Sequence, residues 1–94
     1  MAVRFMKDDK GTHSIWVEDE GRPGPALTII EPCKDETFGK GNKTAWLIVD
    51  VIHGTLFLDG FPKLPGDRFT LASGQLQYIS CGEPVYLFIR PLPH

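Results

Sequence analysis

The residues able to do chemistry in this chain are few and widely separated. Its histidines are His13, His53 and His94, and no two of them have the spacing of a metal-binding pair. His53 precedes Gly54, which favours a solvent-facing turn residue; the alternative is a general base, because imidazole titrates near neutral pH. A metal site would require these separate histidines to meet in the folded protein, and nothing in their spacing indicates that they do. The sequence therefore predicts no metal and no cofactor.

The two cysteines, Cys33 and Cys81, lie in different segments and form no C-x-x-C pair. The first residues contain no apolar stretch long enough for a signal peptide, so we predict reduced thiols in a cytoplasmic protein. A disulfide between them is the alternative. No base or positive charge stands beside Cys81 in the sequence to activate its thiol, which favours a buried structural thiol over a nucleophile.

One carboxylate and one glycine-rich stretch offer further possibilities. Asp50 interrupts an apolar run and is expected on the outer face of a sheet, solvated or paired with a basic residue, with a catalytic role as the alternative. Residues 39–44 contain the glycine, lysine and threonine of a phosphate-binding loop, but with different spacing and leading into a strand instead of a helix. The segment is therefore expected either to bind an anion weakly, through Lys40, Asn42 and Lys43, or to be an exposed surface loop.

Length and charge define the class of protein. A chain of 94 residues, 41% of them hydrophobic, predicts one small globular domain. Its 10 Lys and Arg are outnumbered by 12 Asp and Glu, and no two basic residues are adjacent. Nucleic acid is therefore not an expected partner, because phosphate neutralisation supplies most of that affinity. No apolar run approaches the roughly 18 residues that span a bilayer, so no membrane partner is expected.

Strands must position these residues, because helical periodicity is almost absent. The chain has 8 prolines and 10 glycines, and the segments between them are rich in β-branched and aromatic residues. A break is predicted at 20–25, a polar loop at 33–43 and a turn at 60–66. Strands are predicted over 3–7, 12–18, 26–30, 44–53, 55–59, 67–71, 75–81 and 84–90. About eight or nine short strands predict an all-β sandwich or barrel.

The second half of the chain, residues 44–90, alternates strands with glycine-containing turns that include Gly54 and Leu64-Pro65-Gly66-Asp67. This pattern resembles the cupin family, whose fold is a small antiparallel jelly-roll barrel. The family's second motif runs glycine, proline, glycine, histidine, asparagine. Laid on this chain from Gly66, its later positions fall on Ala72, Gly74, Gln77 and Cys81.

The family's first motif supplies two histidines and a glutamate ahead of a glycine. Anchored on Gly54, it places Leu47 at the glutamate. The histidine positions fall on Gly41 and Lys43 or, with a longer spacer, on Lys40 and Asn42. Because every ligand position is replaced, the resemblance implies a cupin-like jelly roll without the family's metal.

The resemblance also implies which residues line the interior. If Leu47 points inward, alternation along the strand carries Val49 with it, and Gln77, Ile79 and Cys81 line the facing strand. Asn42 and Lys43 would lie at the barrel mouth, and the forked guanidinium of Arg90 suits phosphate or carboxylate. The ligand-binding candidates are Asn42, Lys43, Leu47, Val49, Gln77, Ile79, Cys81 and Arg90; no catalytic residue can be named.

Two classes of function follow from the resemblance. The first is a metal-free module that binds a small molecule or another protein. The alternative is a metal-independent enzyme, because small stand-alone cupins that resemble nucleoside phosphorylases also lack the histidine pair. A structural accessory protein without a ligand site is a third possibility. Outward-facing aromatic residues favour a homodimer; they include Trp16, Trp46, Tyr78, Tyr86 and Phe88.

Overall fold

The computed structural model describes residues 2–7, 11–19, 22–38, 47–72 and 77–91, and every regular element in these ranges is a β-strand. The strands are β1 (Ala2–Lys7), β2 (Thr12–Asp19), β3 (Arg22–Ile30), β4 (Cys33–Phe38), β5 (Leu47–His53), β6 (Leu56–Leu58), β7 (Phe61–Lys63), β8 (Arg68–Leu71), β9 (Gln77–Cys81) and β10 (Val85–Pro91). Within the described ranges, no helix is long and apolar enough to span a membrane.

The strands form two antiparallel sheets. The larger has the order β1-β2-β3-β10-β5-β8 and the smaller the order β4-β9-β6-β7. The predicted all-β, antiparallel, jelly-roll-like fold is confirmed, with the strands of the described residues arranged as two separate sheets instead of a closed barrel. Among the described residues, no ladder joins the edges of the two sheets.

Three segments that were predicted as breaks contain strand. β4 occupies the start of the predicted polar loop, and β7 lies inside the predicted turn. Both are edge strands, where charged residues and proline are tolerated because one row of backbone groups needs no partner. β3 begins at Arg22, inside the predicted break at 20–25, and pairs with the end of β2. Residues 39–46, the rest of the predicted loop and the start of the predicted strand 44–53, lie outside the described residues.

The core lies between the two sheets and is built by alternation along the strands. In β10, Val85 and Leu87 are buried, while Tyr86 and Phe88, which alternate with them, are exposed. Each fully buried Val or Leu side chain stabilises the fold by about 1.5–3 kcal/mol. The buried hydrophobic residues are Ile30, Val49, Val51, Leu56, Leu58, Phe69, Leu71, Ile79, Cys81, Val85 and Leu87.

One hairpin turn joins the edge strand β7 to the rest of the smaller sheet. Asp59 and Gly60 both have positive φ (49° and 85°), the conformation of a two-residue hairpin turn between β6 and β7. The Asp59 backbone N–H donates to the Tyr78 carbonyl at 2.8 Å, and its carboxylate accepts the Tyr78 N–H at 3.0 Å. The hairpin is thereby held against β9.

Candidate functional site

Four of the predicted interior residues lie on the inner face of the sheets. Val49, Ile79 and Cys81 are buried in the shared core, and Leu47 packs against that core while partly buried. These side chains pack against one another as core residues do. Their role as ligand contacts remains a prediction, because none of them except Cys81 carries a polar atom.

Gln77 begins β9 and continues the inner row of Ile79 and Cys81, since the residue between, Tyr78, is exposed. Its neighbour across the ladder is Phe38 of β4. The Gln77 side-chain oxygen Oε1 is buried without a hydrogen-bond partner. A buried acceptor without a donor costs about 1–3 kcal/mol, so this atom is a polar group available to an N–H or O–H donor.

Arg90 does not join Gln77, because it lies on the opposite face of the larger sheet with Tyr86 and Phe88. Its Nη2 lies 3.8 Å from the Asp50 carboxylate, and its Nε is buried without a hydrogen-bond partner. The predicted ligand-binding residues are therefore split between two faces, and Asn42 and Lys43 lie outside the described residues.

Asp50 is paired with basic residues on the outer face, as one of the two interpretations of the sequence expected. Arg68 Nε donates to Asp50 Oδ1 at 2.6 Å from the neighbouring strand β8. This hydrogen bond, with the charges of Arg68 and Arg90, lowers the pKa of the Asp50 carboxyl. The arrangement holds the carboxylate ionised, as suits a structural ion pair.

The described part of the chain contains no group of three His, Cys, Asp or Glu side chains that could hold a metal ion. His53 is exposed at the end of β5, with its ring edge-on to Tyr86 at 5.5 Å between centroids. His13, on β2, has its Nε2 3.2 Å from Oε1 of Glu31, the residue that follows β3. The two imidazoles thus have separate partners, and His94 lies outside the described residues.

The two cysteines, far apart in sequence, are direct neighbours in the fold. Cys33 and Cys81 are Cα partners across β4 and β9, and their sulfur atoms are 4.0 Å apart. Cys81 is buried and Cys33 is partly buried. The sequence offered a pairing of these cysteines only as the less favoured alternative, because their approach depends on the register of a strand that was predicted as a loop.

A continuous row of exposed apolar side chains runs over four of the six strands on the outer face of the larger sheet. Phe5, Ile15, Leu27 and Phe88 are successive Cα partners on β1, β2, β3 and β10. All four are exposed, and the first three line a shallow open groove. We define the outer apolar face as this row with its exposed neighbours: Val3, Phe5, Ile15, Leu27, Tyr86 and Phe88.

The sequence carried one signal for this face that was not used. Residues Val85 to Ile89 form an uninterrupted apolar run, which is typical of a strand covered on both sides. The smaller sheet covers only the face of β10 that carries Val85 and Leu87. The other face of the same strand is left uncovered.

Comparison with known proteins identifies the fold. No protein-family model matches the sequence, and no curated protein sequence matches it. Among solved structures, a Vibrio parahaemolyticus protein of unknown function superposes with a TM-score of 0.78 at 14% identity, covering 96% of this chain and 98% of that one. The Drosophila melanogaster CENP-C cupin domain gives 0.74 at 14% identity, covering 96% and 75%.

An RmlC-like cupin from Shewanella frigidimarina gives a TM-score of 0.68 at 12% identity, covering 98% of this chain and 85% of that one. At these identities the similarity concerns the fold alone. The chain therefore has a cupin-like fold, as its glycine and strand pattern indicated. What each of these similar proteins binds or catalyses is a property of that protein and does not follow for this chain.

Proposed function

We propose that this chain is a cupin-like interaction module that binds a second copy of itself through the outer apolar face. The observation that carries the proposal is the registered row of Phe5, Ile15, Leu27 and Phe88 across four neighbouring strands. Exposed apolar residues scattered singly are normal on a protein surface, whereas a contiguous row indicates an interaction site.

The size of the face suits a homodimer. A side chain of this kind that is about half exposed presents on the order of 100 Å², so the six residues present roughly 600 Å². That is at the upper end of what a monomer normally leaves exposed, about 300–600 Å². It approaches the roughly 800 Å² that each partner buries in a standard interface.

The chemistry of the face favours a second copy over a foreign protein. The row of four contains no charged residue, and Asp50, which continues it on β5, is paired with Arg68. Two copies can therefore meet along the row without burying an unpaired charge. A two-fold axis through the row would place the same residues on both sides, which is the self-complementary arrangement of most dimers. Face-to-face packing of two sheets is the geometry found in β-sandwich cores.

Use of this fold in protein assembly has a structural precedent. A Drosophila melanogaster CENP-C structure with the same fold was solved bound to CAL1. This likeness supports an interaction role for the fold and gives no information about the partner of the present chain.

The test is the molar mass in solution over a range of protein concentrations. We expect a species of twice the chain mass for the unmodified protein, and a monomer for Ile15→Asp, because a buried carboxylate opposes association. The matched control is Phe61→Asp on the smaller sheet, where Phe61 is 71% exposed and remote from the face; it should leave the dimer intact. A monomeric unmodified protein at every concentration would refute the proposal, as would dissociation of both variants.

A second candidate function, binding of a small molecule with a hydrogen-bond donor, rests on the unpartnered Gln77 Oε1. Nucleosides and inorganic phosphate are the first probes, with assays for both thermal stabilisation and release of the free base. A ligand site predicts that Gln77→Leu abolishes the stabilisation by the probe. If Gln77 is only a core residue, no probe stabilises the protein and Gln77→Leu raises its melting temperature.

A further inference from the structure

We propose that Cys33 and Cys81 are a site of reversible covalent modification, at which a low-molecular-weight disulfide such as oxidised glutathione converts the two thiols into an intramolecular disulfide. The bond would join β4, at the edge of the smaller sheet, to its neighbour β9. The cysteines lie at the interface of these strands, away from the outer apolar face. The inference is therefore independent of the proposed function.

The register of the two strands brings the cysteines within range. Residues opposite each other in an antiparallel pair have Cα atoms about 4.5–5.5 Å apart, and disulfides span about 4.4–6.8 Å between Cα atoms. The sulfur atoms, now 4.0 Å apart, must approach to about 2.05 Å. Rotation of the side chains about the Cα–Cβ bonds supplies such a movement without separating the strands.

Hydrogen bonds from the two thiols fix the sulfur positions in the reduced protein and are given up on oxidation, whereas a bond from the backbone of β4 to β9 remains. The Cys81 thiol donates to the Glu31 carbonyl at 3.4 Å, and the Cys33 thiol donates to the Ile79 carbonyl at 3.8 Å. Two residues further along β4, the Asp35 N–H donates to Ser80 Oγ at 2.9 Å, with Asp35 at a φ of 51° where the ladder is irregular. Because both cysteines are tethered nearby, the thiols meet each other more often than they meet a second protein molecule.

The reaction proceeds in two exchanges that balance. Cys33, the more exposed of the two, loses its proton and its thiolate attacks one sulfur of oxidised glutathione; the S–S bond breaks and one glutathione thiolate leaves. The Cys81 thiolate then attacks the Cys33 sulfur of the mixed disulfide and releases the second glutathione. Two protein thiols are oxidised, one glutathione disulfide is reduced to two thiols, and the two protons end on the glutathione.

The surroundings of Cys33 determine how fast this happens. Burial, followed by repulsion from Cys81, raises the pKa of the Cys33 thiol to about 11. Because the thiolate is the nucleophile, oxidation should be slow at neutral pH and should accelerate about tenfold for each pH unit between neutrality and that pKa. The pair would therefore respond to a sustained oxidising environment and would be insensitive to a brief one.

The experiment is incubation of the whole chain with oxidised glutathione, followed by intact-mass measurement and thiol titration in denaturant. We expect the mass of a single chain, without a covalent link to a second one, that has lost two hydrogens and has no free thiol, together with a higher melting temperature and full reversal by dithiothreitol. Cys33→Ser and Cys81→Ser are the controls, and neither should form the internal bond. The single remaining thiol should carry at most one glutathione.

Three outcomes would overturn the proposal. Two titratable thiols after prolonged incubation at alkaline pH would show that the sulfurs cannot meet. A stable glutathione adduct on the unmodified chain would show that Cys81 does not complete the exchange. Disulfide-linked dimers on a non-reducing gel would show that the cysteines react between molecules. Each outcome is read from mass and thiol content, so none depends on whether the outer apolar face binds a second copy.

Discussion

The two faces of the larger sheet both carry large apolar residues, but only those on the inner face are buried. On β10, Leu87 is 0% exposed and its neighbour Phe88 is 36% exposed, although both are large and apolar. The inner residue meets the smaller sheet across the core, and the outer one continues a row that ends at Phe5, 63% exposed. The difference lies in what covers each face: this chain supplies one cover, and we propose that a second copy supplies the other.

The largest expected effect tests the inner face directly. Leu87→Ala should lower the free energy of unfolding by about 2–5 kcal/mol, because it leaves a cavity in a packed core. Phe88→Ala is the matched control and should cost less than about 1 kcal/mol in dilute solution, as exposed positions do. Urea unfolding measures both. If both substitutions lowered the free energy of unfolding equally in dilute protein, the two faces would not differ. If Phe88→Ala lowered it only at high protein concentration, the outer face would be covered by association.

Two glycines with the same backbone conformation allow the next contrast. Gly54 and Gly60 have φ values of 84° and 85°. A Cβ at Gly54 would lie 2.7 Å from the Pro84 carbonyl oxygen and 3.2 Å from Val85 Cα, whereas a Cβ at Gly60 would meet nothing within 4 Å.

Gly54→Ala should therefore cost more than about 2 kcal/mol and Gly60→Ala about 1 kcal/mol, since only the first adds a clash with backbone to the strain of positive φ. Thermal unfolding at matched concentrations gives the difference. Equal costs would show that the turn at Gly54 can shift away from β10, and that packing near the core is looser than the geometry indicates.

A smaller effect concerns the pH dependence of the reduced protein. The Cys33 thiol has an ordinary pKa of 9.0 and a folded-state pKa of about 11. The folded protein keeps the proton where the unfolded chain loses it, so this contribution to stability is complete below pH 9.0 and is lost as the pH rises to about 11. Urea midpoints under reducing conditions should fall over this range more for the unmodified protein than for Cys33→Ser. Parallel curves would contradict the prediction.

The smallest effect belongs to the outer face. The Asp50–Arg68 pair lowers the pKa of the carboxyl, so its stabilisation is present above the ordinary pKa of the carboxyl and is lost as the pH falls through the lowered one. Asp50→Asn should be slightly less stable than the unmodified protein at neutral pH, with the gap closing in strong acid and in high salt. A gap that does not change with pH would show that the pair contributes through packing instead of charge.

Strands whose side chains alternate or are uniformly apolar could be predicted from the sequence. The edge strands β4 and β7 of the smaller sheet could not. Val85 to Pro91 and Leu47 to His53 fall where predicted because their burial follows from composition. Cys33–Phe38 reads Cys-Lys-Asp-Glu-Thr-Phe, a polar segment that an edge position accepts because solvent reaches one side. The Asp59-Gly60 pair was a hairpin signal that was not recognised.

The candidate site was harder to predict than the fold. Alternation correctly placed Ile79 and Cys81 inside, but it says nothing about which strands are neighbours. Arg90 was grouped with Gln77 for its chemistry alone, although alternation along β10 puts it on the outer face with Tyr86 and Phe88. The approach of Cys33 to Cys81 depends on a pairing over 48 positions of sequence, which one sequence cannot reveal.

The position of β10 has a consequence for how the chain is made. Among the strands that the structure describes, it comes last in sequence, lies between β3 and β5, and connects the N-terminal three strands of the larger sheet to the rest. The chain emerges from the ribosome with its N-terminus first. Ile30 is therefore made well before Val85, its partner in the ladder. At roughly 5–20 residues per second, the delay is on the order of seconds. During that time the side of β3 that later pairs with β10 has no partner strand, which makes the nascent chain a candidate for chaperone binding.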